Sequence, residues 1–144
     1  MESTRPVAGA RGARILHAAL VIGSILVGIT FFFVLRRIGP ALRDAPLAGY
    51  LTAGLGLANL AVAIGFFRPR IPQRRMDQGP DEYWMTNEAR GAAIVLWAMV
   101  EAAGLISWVG YYLTGRALPA AVAALAVVTL ITLRPSRLEG DGAS

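Results

Sequence analysis

The chain has no cysteine, no lysine, one histidine and little charge, and each shortage closes off a class of function. Without cysteine there is no disulfide, no thiolate metal site and no cysteine nucleophile. The single histidine, His17, cannot assemble a multi-histidine metal site by itself. Only 16% of the 144 residues are charged, while 56% are hydrophobic, and mean hydropathy is +0.55. That is too apolar for a soluble domain of this length and belongs to the membrane class, read here as one domain over residues 1–144. No Ser-His-Asp, metal-ligating or phosphate-binding constellation is present, so the reading is that the protein is not an enzyme and needs no cofactor.

What charge there is has one dominant sign. The net charge is +5 and every basic residue is arginine. A basic balance can indicate nucleic acid, but these arginines stand at the ends of apolar runs, where positive charge orients membrane proteins and meets anionic headgroups. No nucleic-acid motif interrupts the runs, so no nucleic-acid partner is expected.

Four apolar segments emerge, at about 15–35, 45–67, 91–115 and 117–133. The first three are long enough to cross a bilayer, and the fourth, about 17 residues, is at the lower limit. The first resembles a signal peptide in its basic lead of Arg5, Arg11 and Arg14. It is longer than the usual apolar core of such a peptide and runs into Phe31-Phe32-Phe33 without a small-residue cleavage site, so it reads as a retained helix. The fold expected is all-α: an integral membrane four-helix bundle of two antiparallel hairpins, joined by a cytoplasmic loop at about 68–90. Arginine counting gives about ten on the side of the termini and central loop against four on the other, which places both termini in the cytoplasm of a bacterial inner membrane. Asp81 is expected to cap a helix that runs on through the third span.

The two halves echo each other. GFFRPR (65–70) ends the second span and TLRPSR (132–137) ends the fourth. ILHAALVIGS (15–24) aligns with VLWAMVEAAG (95–104), so an ancestral hairpin duplication is the favoured reading over chance similarity of apolar segments. A duplicated hairpin with one mid-membrane carboxylate, small-residue faces and Arg-Pro exits resembles the proteolipid (c or K) subunits of rotary ATPases. That resemblance implies a rotor element in which Glu101 loads and releases a cation. In that family the acid lies on the second helix of a hairpin, whereas Glu101 is on the first helix of the second hairpin. The chain is equally similar to short four-span bacterial membrane proteins of no assigned activity, through its YYLTG end (111–115).

Glu101 is the strongest functional pointer. It sits mid-span in LWAMVEAAG, where a charged residue costs on the order of 2.5–3.5 kcal/mol on insertion scales. A protonated carboxyl with a hydrogen-bond partner is the cheaper state. Asn59 lies at the same depth in the second span, so a Glu101–Asn59 hydrogen bond is one expected arrangement. Proton or cation exchange is the second, and a lipid-facing or oligomer-facing acid the third. Trp97, Gly104 and Trp108 fall on the face around Glu101 by helical spacing. His17 reads as a satisfied or interfacial histidine, and Thr30, Thr52, Ser107, Thr129 and Thr132 as bonded back to their own helices. Gly23, Ser24 and Gly28, with Gly49, Ala53, Ala61 and Gly65, have the spacing that lets helices approach closely. Arg68, Arg70, Arg74 and Arg75 form a basic cluster suited to anionic headgroups at the cytoplasmic face. The sequence therefore reads as a small polytopic inner-membrane protein, an accessory or scaffold subunit acting by helix association with its own copies or another membrane protein. The alternative is a proton- or cation-coupled transport or rotor element using Glu101.

Overall fold

A computed structural model of the protein describes residues 9–140; Arg5 lies outside them. Every regular element among the described residues is helical: α1 (Ala10–Ile38), α2 (Pro46–Val62), α3 (Pro80–Met85), α4 (Asn87–Thr114), α5 (Ala117–Thr132) and α6 (Pro135–Leu138). Three stretches are long and apolar enough to cross a membrane, Ala10–Ile38, Pro46–Arg70 and Asn87–Thr114, while the apolar α5 has 16 residues. α1 ends where Gly39 takes φ 78° and donates its N–H to the Leu35 carbonyl, with Arg36 and Arg37 in the last turn facing the negative end of the helix dipole. α2 starts on Pro46, whose fixed φ suits a first turn. Beyond α2 the chain forms a π turn, Ala63–Phe67, and then a 3-10 turn, Arg68–Arg70. Pro69 explains the change of pitch, because it has no N–H to continue the α-helical ladder.

α4 occupies the centre and packs against α1, α2 and α5. Its register with each neighbour can be read from named contacts. Gly49 lies beside Thr114, Gly56 beside Ser107, and Asn59 beside Met99, so α2 runs antiparallel to α4. Gly110 lies beside Pro119 and Gly104 beside Ala126, so α5 is antiparallel as well. His17 packs on Trp97, Gly28 on Trp108 and Phe31 on Tyr112, so α1 runs parallel to α4 at equal depth. This is the register of the internal sequence alignment.

The halves are nevertheless packed differently. α4 and α5 form a close hairpin, whereas α1 and α2 scarcely touch, contrary to the expectation of two alike hairpins. The connection between α1 and α2 supplies the reason. Leu42 donates its backbone N–H to the Leu113 carbonyl at 2.8 Å, which fastens this turn over the end of α4, and the second hairpin fills the space between the first two helices.

At the opposite end a cap gathers the start of α1, the segment before α3, α3 itself and α6. Asp81 corrects the sequence reading: its carboxylate accepts the N–H of Ala10 at 3.0 Å and so caps α1. The helix it begins stops at Met85, and Thr86 is extended before α4 starts at Asn87. Trp84 donates its indole N–H to Glu139 Oε1 at 2.8 Å, and Tyr83 donates its hydroxyl to the Pro72 carbonyl at 2.7 Å. Burial, and then the neighbouring Glu139 carboxylate, push the Tyr83 phenol above its ordinary value of 10.0. A raised folded-state value means that the associated stability is complete below pH of about 10 and is lost as pH rises toward the folded-state value. Alkaline loss of thermal stability above that pH is therefore expected to be shallower in Tyr83→Phe than in the parent chain. Parallel curves would show that this phenol does not govern the alkaline limb.

Candidate functional site

Glu101 lies midway along α4, at the edge of its buried stripe. Trp97 and Gly104 on one side are buried, Ile94, Ala98 and Leu105 on the other are exposed, and Glu101 is between these limits. Its carboxyl has no hydrogen-bond partner among the described residues. The expected bond to Asn59 is not formed, because Asn59 Nδ2 donates instead to the Met99 carbonyl at 2.9 Å. Depth was matched, but not azimuth. Met99 stands two residues from Glu101, about 200° around the helix, and α2 therefore faces the opposite side of α4.

The neighbour on Glu101's side is α1. The α4 residues that meet α1, Trp97, Trp108 and Tyr112, bracket Glu101 on one helical face. Along α1 the buried stripe is narrow and consists of Ala10, His17, Ser24 and Gly28. With the two helices in equal-depth register, the seam carries polar groups in alternation: His17, Glu101, Ser24 and Trp108, from the capped end outward.

These groups differ in how they are satisfied. His17 is buried, and its Nε2 donates to the Leu130 carbonyl of α5 at 2.7 Å, in keeping with a structural histidine. Ser24 is 2% exposed, yet its Oγ has no partner, and neither does the buried Nε1 of Trp108. Of the hydroxyls expected to bond back to their own helices, Ser107, Thr52 and Thr129 reach carbonyls four residues back and Thr132 the carbonyl three back, while Thr30 forms no such bond; Thr114 also bonds four residues back. Ser24 is the residue that sequence reasoning placed only in packing. Its seven-residue spacing from His17 was the available signal, since that spacing puts both on one helical face.

The face proposed around Glu101 divides between two neighbours. Trp97 is 1% exposed and donates its indole N–H to the Leu133 carbonyl at 2.8 Å, and Gly104 lets α4 come close to Ala126. Both therefore serve the α4–α5 contact, Trp97 while also packing on His17 of α1. Trp108 turns to α1, where its ring presses on the backbone at Gly28. What remains on the α1–α4 seam is a carboxyl, a hydroxyl and an indole N–H within about two helical turns, a set that can hold water or pass a proton. Among the described residues no group of three or more His, Asp or Glu side chains could hold a metal ion.

The basic cluster is on the capped end. Arg68, Arg70 and Arg75 are exposed and Arg74 is half-buried. The Arg70 guanidinium stacks over the Phe66 ring at 3.2 Å, and Arg75 borders a polar hollow of about 240 Å³ shared with Gln73, Gln78 and Glu88. Fold and site together define an all-helical protein with three helices of membrane-spanning length and, midway along the central helix, an acid without a partner among the described residues. No protein-family model, curated protein or solved structure matches the chain.

Proposed function

We propose that the protein is a four-span integral protein of a bacterial inner membrane that acts by helix association, as an accessory or scaffold subunit. The observation that carries this reading is the partner-free carboxyl of Glu101 at the margin of the buried stripe. A polar group at membrane depth requires a hydrogen bond, and here the described residues do not provide it. A helix of a second copy or of another membrane protein, laid along the exposed Ile94, Ala98 and Leu105 side, supplies one. Counting α5 as a span is supported by its course alongside α4 from Pro119 to Leu133. A cytoplasmic cap is supported by charge, because Arg36, Arg37, Arg43 and Arg116 stand at one end and all other described arginines at the capped end.

Substitutions at Glu101 test the reading. Glu101→Gln keeps a hydrogen-bonding side chain and is expected to leave association unchanged. Glu101→Leu removes about 1 kcal/mol, roughly fivefold in the association constant. Energy transfer between labelled chains in vesicles, with cross-linking to neighbours in native membranes, measures this. Leu and Gln variants that both associate like the parent chain would sink the proposal.

A second reading is favoured by Ser24 Oγ and Trp108 Nε1, which are buried without partners on the same seam. In it, water held there connects to Glu101, and the carboxyl exchanges a proton or cation in the manner of a transport or rotor-type element. It predicts labelling of Glu101 by a hydrophobic carbodiimide, with protection by the transported ion. Glu101→Gln then abolishes activity while leaving association intact, which separates the two readings.

A further inference from the structure

α1 is fastened to α5 at one end and parts from it toward the other. The His17–Leu130 hydrogen bond closes the capped end, and beyond Ser24 the contacts of α1 that place it, Gly28 on Trp108 and Phe31 on Tyr112, are with α4. Between the diverging helices lies a cleft of about 660 Å³ with α1 residues Ile25, Ile29 and Phe32 on one wall, Ala124 and Val128 of α5 on the other, and Trp108 at the floor. Its volume is within the range of about 300–1,000 Å³ common to ligand sites, and the lining is almost wholly apolar.

We propose that this cleft seats one acyl chain of an anionic phospholipid whose phosphate meets Arg36. Phe32 links the two parts of the site. Its ring forms part of the cleft wall, and the Arg36 guanidinium stands 4.6 Å from the ring centroid. The cation is thus held at the mouth by the same side chain that lines the interior. Arg37 and Arg43 stand at the same end of the molecule against Asp44 alone, so the charge complements a phosphate. Charge argues against a helix of a second copy as the occupant: a copy inserted with the same orientation brings its own Arg36, Arg37, Arg43 and Arg116 to this end, like charge against like, whereas a phosphate complements it. Placement of the headgroup in the outer leaflet rests on the orientation proposed above; the cleft and its charge do not.

The test is photolabelling of the reconstituted full chain. Vesicles of phosphatidylcholine carry a small fraction of phosphatidylglycerol with a diazirine in its acyl chain, and labelled positions are mapped by mass spectrometry. Label is expected to concentrate on Ile29 and Val128, about fivefold above the exposed α2 residues Leu51 and Leu55. Ala124→Phe fills the cleft and is expected to reduce that label to the α2 level, while Leu55→Phe, on the exposed α2 face, leaves it unchanged. Arg36→Gln is expected to lower it about fivefold, matching roughly 1 kcal/mol per arginine near an anionic headgroup. The phosphatidylcholine analogue should label the parent cleft as weakly as phosphatidylglycerol labels Arg36→Gln, a comparison that does not depend on how the Ala124 variant folds. Equal label over α1, α2 and α5, equal labelling by the two lipids, or recovery of chain-to-chain products from the cleft would each overturn the proposal. If association fails but cleft labelling persists, the function proposed above falls and this site stands.

Discussion

Trp97→Ala is expected to lower the unfolding free energy in lipid or mild detergent by about 3 kcal/mol, the lower end of the range for deleting a buried tryptophan. The lower end applies because lipid chains solvate apolar groups nearly as well as protein does, which leaves poorer packing and a missing hydrogen bond as the main costs. Three neighbours depend on this ring. Its N–H satisfies the Leu133 carbonyl at the end of α5; its face stacks on Trp84 with centroids 5.9 Å apart; and His17 packs against it at 5.2 Å. The residue therefore joins α4, α5, α1 and the cap at one point. Trp97→Phe separates the contributions. It keeps an aromatic ring but leaves the Leu133 carbonyl without a donor, for a loss of about 1 kcal/mol. Denaturation in mixed micelles, followed by circular dichroism, measures both variants. Equal losses would mean that the hydrogen bond and not the packing holds this junction together.

The helices were legible in the sequence because a membrane-spanning segment is defined by composition along the chain, and composition needs no partner. The apolar runs at 15–35 and 91–115 became the cores of α1 and α4, lengthened by polar turns at the capped end. The faces of those helices were not legible. In a soluble helix polar residues mark the outside, but α1 is apolar nearly all round, with Ile22, Leu26 and Phe33 exposed and only a narrow buried stripe. Asn59 shows the consequence: hydropathy fixes depth, and nothing in it fixes azimuth, so a residue level with Glu101 turned out to face the other side of α4. Glu139 illustrates a second limit. Its carboxylate is recruited by Trp84, 55 positions away, and an acid in a polar C-terminal stretch carries no sign of that use. The same holds for Asp81, whose local position suits a cap of its own helix but which serves α1.

Two glycines in one helix are expected to respond to substitution with opposite signs. A methyl group on Gly56 would fall on Ser107 Oγ and lie 3.1 Å from the Ala103 carbonyl oxygen and from Val122. Neither the backbone oxygen nor the back-bonded hydroxyl of Ser107, held to Ala103 at 2.9 Å, can yield without disturbing α4. Gly56→Ala should therefore cost about 1–3 kcal/mol, and Gly56→Leu about 3, by forcing α2 off both α4 and α5. No compensating collapse follows, since in a bilayer lipid fills any gap and the close packing of α2 on its neighbours is not restored. Gly54, two residues earlier, has nothing within 4 Å of the corresponding position. There alanine only restricts the unfolded backbone and improves helix propensity, for a gain of up to about 1 kcal/mol. The difference between the two alanine variants, measured under identical unfolding conditions, thus reads the α2 interface directly. If both are stabilising, α2 does not approach α4 through Gly56; if both are destabilising, α2 is enclosed on the Gly54 side as well, by a partner that a single chain does not contain.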